Sequence, residues 1–124
     1  MKTSELTDLA LNWAVATCEG GTGLWYDGIA TYWITINGKD RALSKGWAQS
    51  YTPPTDWAQG GSIIEREDMT ISHSPYDHVV YGRTRPWCAE KKGRMEYGPT
   101  PLIAAMRCFV ASKMGDEVEI PTNL

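Results

Sequence analysis

Hydrophobic residues recur at the helical period near the N-terminus. Between residues 4 and 18 they return to one side every three or four positions, while acidic residues share a narrow polar side. The residues on the apolar side are Leu6, Leu9, Ala10, Trp13 and Thr17. Thr3 or Ser4 can cap such a helix, because a hydroxyl oxygen accepts backbone N–H groups at a helix start. The pattern predicts a helix over 4–18 that ends at Gly20-Gly21.

The same helix carries a second apolar stripe, formed by Leu11, Val15 and Cys18. A helix that is apolar over so wide an arc can be covered from two directions. Self-association into a homo-oligomer through this stripe is therefore a hypothesis.

The period changes to two over residues 29–36, where Tyr32, Ile34 and Ile36 alternate with more polar positions and with Trp33. This alternation predicts a strand. It is followed by Asn37-Gly38, the dipeptide that type I′ hairpin turns prefer. Residues 39–54 either return as a strand or run as a loop to two prolines, and the pattern does not decide between them.

A helix over 56–67, with Thr55 as its N-cap, contains two adjacent glycines. At 100° per residue, Trp57, Gly60, Gly61 and Ile64 share one side. We expect both glycines to face inward, so that the helix can approach a neighbouring backbone, and Trp57 to be buried. A phosphate-binding loop would instead need glycines between a strand and a helix, with Lys-Ser/Thr after them.

Downstream, residues 69–73 and 78–82 read as short extended segments, and Lys92-Gly93 reads as the turn of a hairpin. Thr100-Pro101 then combines an N-cap with a proline in the first turn, which predicts a helix over 101–114. The residues expected to face the core are Leu102, Met106, Phe109 and Val110. The predicted class is α+β: an antiparallel sheet of about four strands with three helices on both of its faces.

Composition limits the number of domains, the partners and the cellular compartment that we expect. The chain has 124 residues, 42% of them apolar, and a formal charge of −3. This length predicts a single domain over 1–124, and the charge gives no general attraction to nucleic acid. Charged residues interrupt the apolar segments, so we expect no membrane partner and a cytoplasmic protein. Three cysteines, an odd number, favour reduced thiols.

No pattern of catalytic or metal-binding residues stands out. His73, Asp77, His78 and Cys88 are zinc-binding types, but their spacing matches no known ligand pattern, so loop histidines exposed to water are expected. No Gly-x-Ser-x-Gly sequence is present, and the acidic residues around Arg66 point in different directions on a helix. We therefore predict a protein that is not an enzyme and has no cofactor.

One region has a strong local charge. Residues 83–94 contain five basic residues against one acidic residue, Glu90, with Trp87 and Tyr97 in or beside the run. Basic side chains with exposed aromatic rings can bind phosphates and stack bases. A hairpin also places charges on its solvent side to prevent edge pairing. The candidate binding surface consists of Arg83, Arg85, Trp87, Lys91, Lys92 and Arg94.

Three segments together resemble a known family: SELTDLALNWAVATCEG, PPTDWAQGGSIIERE and YGPTPLIAAMRCFVASKMGDEVEIP. They resemble the phage-encoded family typified by the NinX protein of P22-like phages, found in tailed phages and enterobacterial prophages. More distantly, the order of elements is similar to that of small phage domains described as α-β-α sandwiches, which implies α-β-α layers. The family brings no established activity and no catalytic residues.

The resemblance implies a phage or prophage accessory protein. Because no catalytic constellation is present, the leading hypothesis is a module that binds an unidentified host or phage protein. The alternative is a nucleic-acid-binding accessory factor that uses region 83–97.

Overall fold

The computed structural model describes residues 1–73 and 86–124. Within these ranges the fold is α+β, with three α-helices and six strands after a short 3₁₀ turn at Thr3–Glu5. The first half contains α1 (Asp8–Cys18), β1 (Thr22–Tyr26), β2 (Tyr32–Ile36), β3 (Lys39–Ala42) and α2 (Trp57–Arg66). The second half contains β4 (Thr70–His73), β5 (Trp87–Lys91), β6 (Arg94–Gly98) and α3 (Pro101–Met114).

The strands form two antiparallel sheets of three strands each, ordered β1-β2-β3 and β4-β5-β6. The prediction of one sheet with about four strands is wrong. α1 packs against the first sheet, α3 packs against the second, and the two helices pack against each other. The helices α1 and α3 thus separate the two sheets, in place of the predicted single sheet between two helix layers.

The first predicted helix is divided in two. Thr7 has an extended backbone with φ of −141°, which separates the 3₁₀ turn from α1. The Thr3 hydroxyl donates a hydrogen bond to the Gly115 carbonyl at 2.6 Å, so the prediction that it caps α1 is wrong. Thr3 instead ties the N-terminus to the end of α3.

Both predicted hairpin turns are confirmed. Asn37 and Gly38 have φ of 53° and 76°, and Lys92 and Gly93 have φ of 50° and 84°. These are the left-handed conformations that two-residue type I′ turns require. Residues 39–54, which the pattern left open, form β3 followed by a loop, with one bridge between Ala42 and Ser50.

The glycine pair in α2 is only half explained by the predicted close approach. A Cβ on Gly60 would collide with the Pro53 carbonyl oxygen and lie 2.6 Å from Leu102 Cδ2, whereas a Cβ on Gly61 would meet no atom of the described residues within 4 Å. The close approach is therefore confirmed for Gly60 and wrong for Gly61. Trp57, predicted to be buried, is 61% exposed.

Two further details of α2 differ from the prediction. Its N-cap is Asp56 and not Thr55, because Asp56 Oδ1 accepts the Ala58 N–H at 2.9 Å. The helix is rotated so that Ile63 becomes its buried branched residue. Trp57 lies in the first turn, where it borders a small cavity beside the start of α3 and leaves most of its indole in solvent.

α3 runs through the larger core, as predicted. Thr100 Oγ1 accepts the Ile103 N–H at 3.1 Å, and Gly115 ends the helix with φ of 87°. The four residues expected to face the core are all buried. Gly98 allows β6 to approach the helix, since a Cβ there would lie 2.6 Å from the Ala104 nitrogen.

The second stripe of α1 is covered within the chain itself. Leu11 and Val15 are fully buried in the cluster that contains Phe109, and Cys18 is partly buried against it. Among the described residues, no helix has the length and hydropathy needed to cross a membrane.

Candidate functional site

The basic region predicted from the sequence is only partly within the described residues. Arg83 and Arg85 lie outside them, as do Asp77, His78 and the extended segment predicted at 78–82. Trp87 and Lys91 lie at the two ends of β5, Lys92 lies in the following turn, and Arg94 opens β6. The hairpin thus brings three of the predicted cations to one end of the second sheet.

Carboxylates from other parts of the chain pair with two of these cations. Lys91 Nζ lies 2.6 Å from Glu67 Oε1, and Arg94 lies 2.5 Å from Asp116 Oδ1. Arg66 Nε lies 2.9 Å from Glu67 Oε2, and Lys113 Nζ lies 3.8 Å from Glu67 Oε1. The hydrogen bond from Lys91 is the main reason that the pKa of Glu67 falls to about 2. The local positive charge is thus smaller than the count along the sequence indicates.

Trp87 does not present a free ring. It is half-buried against the larger core, and the His73 ring contacts it edge-on, with the two ring centroids 4.9 Å apart. Lys92 is exposed at the turn. A cleft of about 290 Å³ lies beside it, and we call this the basic cleft; it is lined by Lys91, Lys92, Arg94, Ser112 and Lys113.

The thiols are not activated for nucleophilic chemistry. Burial raises the pKa of Cys88, and it raises those of Cys18 and Cys108 to about 11. All three are therefore protonated near neutral pH, whereas the thiolate is the reactive form. His73, expected in a loop, lies on β4. Within 1–73 and 86–124, no cluster of three His, Cys, Asp or Glu residues could hold a metal ion.

The first sheet carries an aromatic surface on the side opposite α1. Trp25 and Trp33 are cross-strand partners, with ring centroids 5.8 Å apart and planes inclined by 15°. Trp47, from the loop after β3, contacts Trp33 edge-on, with the two ring centroids 5.3 Å apart. Trp25 is 43% exposed and Trp47 is 48% exposed. We call these three residues the tryptophan face.

An aspartate fixes the loop beside the tryptophan face. Asp27 Oδ1 accepts the N–H groups of Ile29, Ala30 and Thr31 at 2.8, 3.0 and 3.2 Å. Its Oδ2 accepts the Trp33 indole N–H at 3.2 Å. These bonds, led by the one from Ile29, lower the pKa of Asp27 to about 2, so it is charged at physiological pH. The loop holds Ile29 in solvent, 85% exposed.

A second carboxylate lies on the same side of the sheet. Asp40 pairs with Thr35, two residues beyond Trp33, and accepts the Thr35 hydroxyl at 3.0 Å. The neighbouring Arg41 points to the other side by strand alternation. There its guanidinium lies 5.1 Å from the Tyr51 ring centroid and donates to the carbonyl of Gln49 at 3.0 Å. The tryptophan face is thus apolar at its centre and acidic at its margin.

The sequence pattern did not reveal this surface. Alternation placed Trp33 on the side opposite Ile34, which was the only available signal. Trp25 lies in β1, which has no clear alternation, and Trp47 lies in the undecided segment 39–54. Their convergence depends on strand pairing and on the path of the loop.

A cavity of about 470 Å³ lies on the opposite side of the first sheet, between the start of α1, the end of β3 and the segment before α2. We call it the α1 cavity. Buried Asn12 lines it and donates through Nδ2 to the Leu43 carbonyl at 2.8 Å.

Comparison with known proteins gives one result. The family model described as "Bacteriophage P22, NinX" matches residues 2–113 of the chain. No curated protein matches it. The match spans α1, both sheets and nearly all of α3, and it agrees with the resemblance carried by the three sequence segments. This chain therefore belongs to the bacteriophage P22 NinX family.

Proposed function

We propose that this chain is a non-enzymatic phage accessory protein that binds another protein, of the host or of the phage, in the bacterial cytoplasm. The tryptophan face is the binding surface. The observation that carries the proposal is the exposure of Trp25 and Trp47, whose rings both contact the ring of Trp33.

Such a surface suits protein recognition for energetic reasons. Tryptophan is the residue type most enriched where truncation to alanine costs most binding energy. Trp25 and Trp33 lie on paired strands, and the Asp27 hydrogen bond fixes the Trp33 indole. Little side-chain freedom is lost when rings that are already ordered meet a partner.

Charge at the margin favours one kind of partner. Asp27 and Asp40 flank the tryptophans, while the nearby Arg41 is turned to the other side of the sheet. A phosphate backbone would be repelled there. A protein surface that presents Lys or Arg beside apolar residues complements it, because cations are attracted to both carboxylates and indole rings.

The flat side of the sheet is a better docking surface than its edge. The pairing of β1 with β2 shifts register between Thr22 and Trp25, and Gly23 has φ of 70°. A bulge of this kind twists an edge strand away from regular pairing with another chain.

Co-purification from infected or lysogenic cells, with chemical crosslinking and mass spectrometry, tests the proposal. The wild-type chain should retain a partner that the Trp25→Ala/Trp47→Ala variant loses. With the purified partner, affinity should fall by about 1,000-fold, since each of the two residues is expected to cost about 2 kcal/mol. Met95→Ala is the matched control, because Met95 is also an exposed hydrophobic residue but lies in the second sheet.

Two results would contradict the proposal. One is a partner that binds the double variant as tightly as the wild type while circular dichroism shows both folded. The other is turnover of a defined substrate by the pure chain with no partner retained.

A second candidate function, nucleic-acid binding, is favoured by the basic cleft. Its four cations outnumber the two carboxylates that pair with them, Glu67 and Asp116. Binding of single-stranded DNA should weaken as salt rises and should weaken further in Lys92→Glu. Lys39→Glu makes the same charge change at the other hairpin and should have little effect. Affinity that is insensitive to salt would eliminate this candidate.

A further inference from the structure

The α1 cavity contains buried polar groups that have no hydrogen-bond partner among the described residues. Its deep part is formed by Asn12, Leu43, Thr52 and Pro54, all buried. Its volume of about 470 Å³ lies within the range of small-molecule sites.

Asn12 is held in a known orientation. The Leu43 carbonyl can only accept a hydrogen bond, so the group that faces it at 2.8 Å must be Nδ2. This leaves Oδ1 as a buried acceptor that has no partner among residues 1–73 and 86–124. The second Nδ2 hydrogen is also unused there. One amide thus offers an acceptor and a donor side by side.

The Thr52 hydroxyl is a second unused group. Thr52 is 3% exposed, and its backbone makes hydrogen bonds to Gln59 and Thr55. In the described part of the chain its Oγ1 has no partner. Buried polar groups are almost always paired, so an unpaired hydroxyl that lines a cavity points to an occupant.

The cavity becomes apolar and then charged toward solvent. Leu9, Tyr32 and Ile103 form its half-buried walls. The exposed rim carries one carboxylate, Asp8, and one ammonium, Lys45. Uncharged hydrogen-bonding groups therefore lie deepest, an aromatic wall lies above them, and both charges lie at the opening.

We propose that the α1 cavity binds a nucleoside monophosphate, with the base edge on Asn12 and Thr52 and the base ring against Tyr32. A base presents adjacent donors and acceptors on a planar ring, which is what an asparagine amide reads. The ribose hydroxyls then lie near Asp8, since carboxylates accept from such hydroxyls. The phosphate lies near Lys45.

Other ligand classes fit the cavity less well. A simple anion would leave the apolar walls and the uncharged floor without partners, and it would meet Asp8 at the rim. A lipid chain would leave the Asn12 amide and the Thr52 hydroxyl unpaired, which costs affinity.

Titration calorimetry of the full chain with AMP, GMP, CMP and TMP tests the proposal, with the four matching nucleosides as a second arm. At least one monophosphate should bind saturably. Thr52→Val removes a hydroxyl that has no partner among the described residues, so it should leave thermal stability unchanged or higher and weaken binding about tenfold.

Lys45→Ala separates the phosphate contact from the base contact. It should weaken the monophosphate several-fold and leave the nucleoside unchanged, whereas Lys39→Ala should change neither. Trp25→Ala should bind nucleotide normally, because Trp25 lies across the sheet from the cavity. Failure here therefore does not bear on protein binding.

Three outcomes would overturn the proposal. None of the monophosphates binds, which leaves only ordered water in the cavity. Binding is the same in wild type, Thr52→Val and Lys45→Ala. Binding is lost in Lys92→Ala but not in Lys45→Ala, which places the nucleotide in the basic cleft.

Discussion

Glu67 is the residue on which the charges of α2, the second hairpin and α3 converge. Arg66, Lys91 and Lys113 all approach its carboxylate, at 2.9, 2.6 and 3.8 Å. Because several cations approach the same carboxylate, Glu67 fixes the position of more than one side chain. Glu67 therefore ties the end of α2 to β5 and to the last turn of α3.

Replacement of Glu67 by glutamine should make the free energy of unfolding less dependent on pH in the acidic range. The folded-state pKa of about 2 lies below the ordinary 4.5, so ionised Glu67 stabilises the fold fully above pH 4.5 and this stabilisation is lost as pH falls toward 2. Glu67→Gln should lower the free energy of unfolding by about 1 kcal/mol at neutral pH and by nothing near pH 2.

Urea unfolding of both proteins across this pH range measures the difference. Glu65→Gln is the matched control, since Glu65 is exposed on the same helix and makes no ion pair with any described residue. If Glu67→Gln lowers the free energy of unfolding by the same amount at low pH as at neutral pH, the charge of the carboxylate is not the cause of the loss.

Arg107 has a role that its position in the sequence does not indicate. It lies in the middle of α3, and an arginine is ordinarily expected to extend into solvent. In the fold it is buried, and its guanidinium donates to the carbonyls of Leu6 and Tyr97, each at 2.8 Å. It therefore joins the N-terminal segment to β6 across α3.

At the scale of elements, α2 shows how packing sets the orientation of a short amphipathic helix. The predicted side included Trp57 and both glycines, but the packed side follows Gly60 and Ile63. The Pro53 carbonyl and the Leu102 side chain occupy the space that a side chain at position 60 would need. At position 61, no atom of the described residues lies within 4 Å of where a Cβ would be.

Alanine at each glycine should therefore have opposite effects. Gly60→Ala should lower the free energy of unfolding by about 1–3 kcal/mol through overpacking. Gly61→Ala should raise it by about 0.5–1 kcal/mol, because alanine favours the helix and its Cβ meets no atom of residues 1–73 or 86–124 within 4 Å. Chemical denaturation of the two variants beside the wild type decides this. Equal effects of the two changes would show that α2 does not depend on the approach at position 60.

At the scale of the whole molecule, the contact between α1 and α3 joins two units that each have a sheet. The smaller cluster contains Ile34 and Ile36 of the first sheet and Leu43 directly after it, and the larger one surrounds Phe109. Leu11, Ala14 and Val15 of α1 belong to the larger cluster and Ala16 belongs to the smaller one, so the helix is covered from two directions and is apolar over a wide arc. The second stripe serves the interior of the chain, so the reason for expecting a homo-oligomer through it no longer holds.

We expect the chain to have a monomeric mass of 13.8 kDa in solution at micromolar concentration. Leu11 and Val15, the apolar residues that would have formed a subunit contact, are fully buried in the fold. Size-exclusion chromatography with light scattering measures this directly. A dimer would contradict the expectation, and its loss in Trp25→Ala would then place the contact on the tryptophan face.

The candidate surfaces were predictable to different degrees. Lys91, Lys92 and Arg94 were found because they are close in the sequence, and the hairpin keeps them close in space. The pairing of Lys91 with Glu67 and of Arg94 with Asp116 was not predicted, since these carboxylates lie more than 20 positions away. The tryptophan face and the α1 cavity were missed because each collects residues from several separate segments.

The sequence by itself determined the local elements of this protein: the turns at Asn37-Gly38 and Lys92-Gly93, the cap at Thr100 and the buried side of α3. These features depend on the backbone preferences and spacing of neighbouring residues, which the chain order contains. Tertiary structure alone decided that the strands form two sheets, that α2 turns Trp57 to solvent, and that Asn12 and Thr52 share one cavity. Those outcomes depend on which surfaces pack together, and packing joins residues whose distance in the sequence carries no signal.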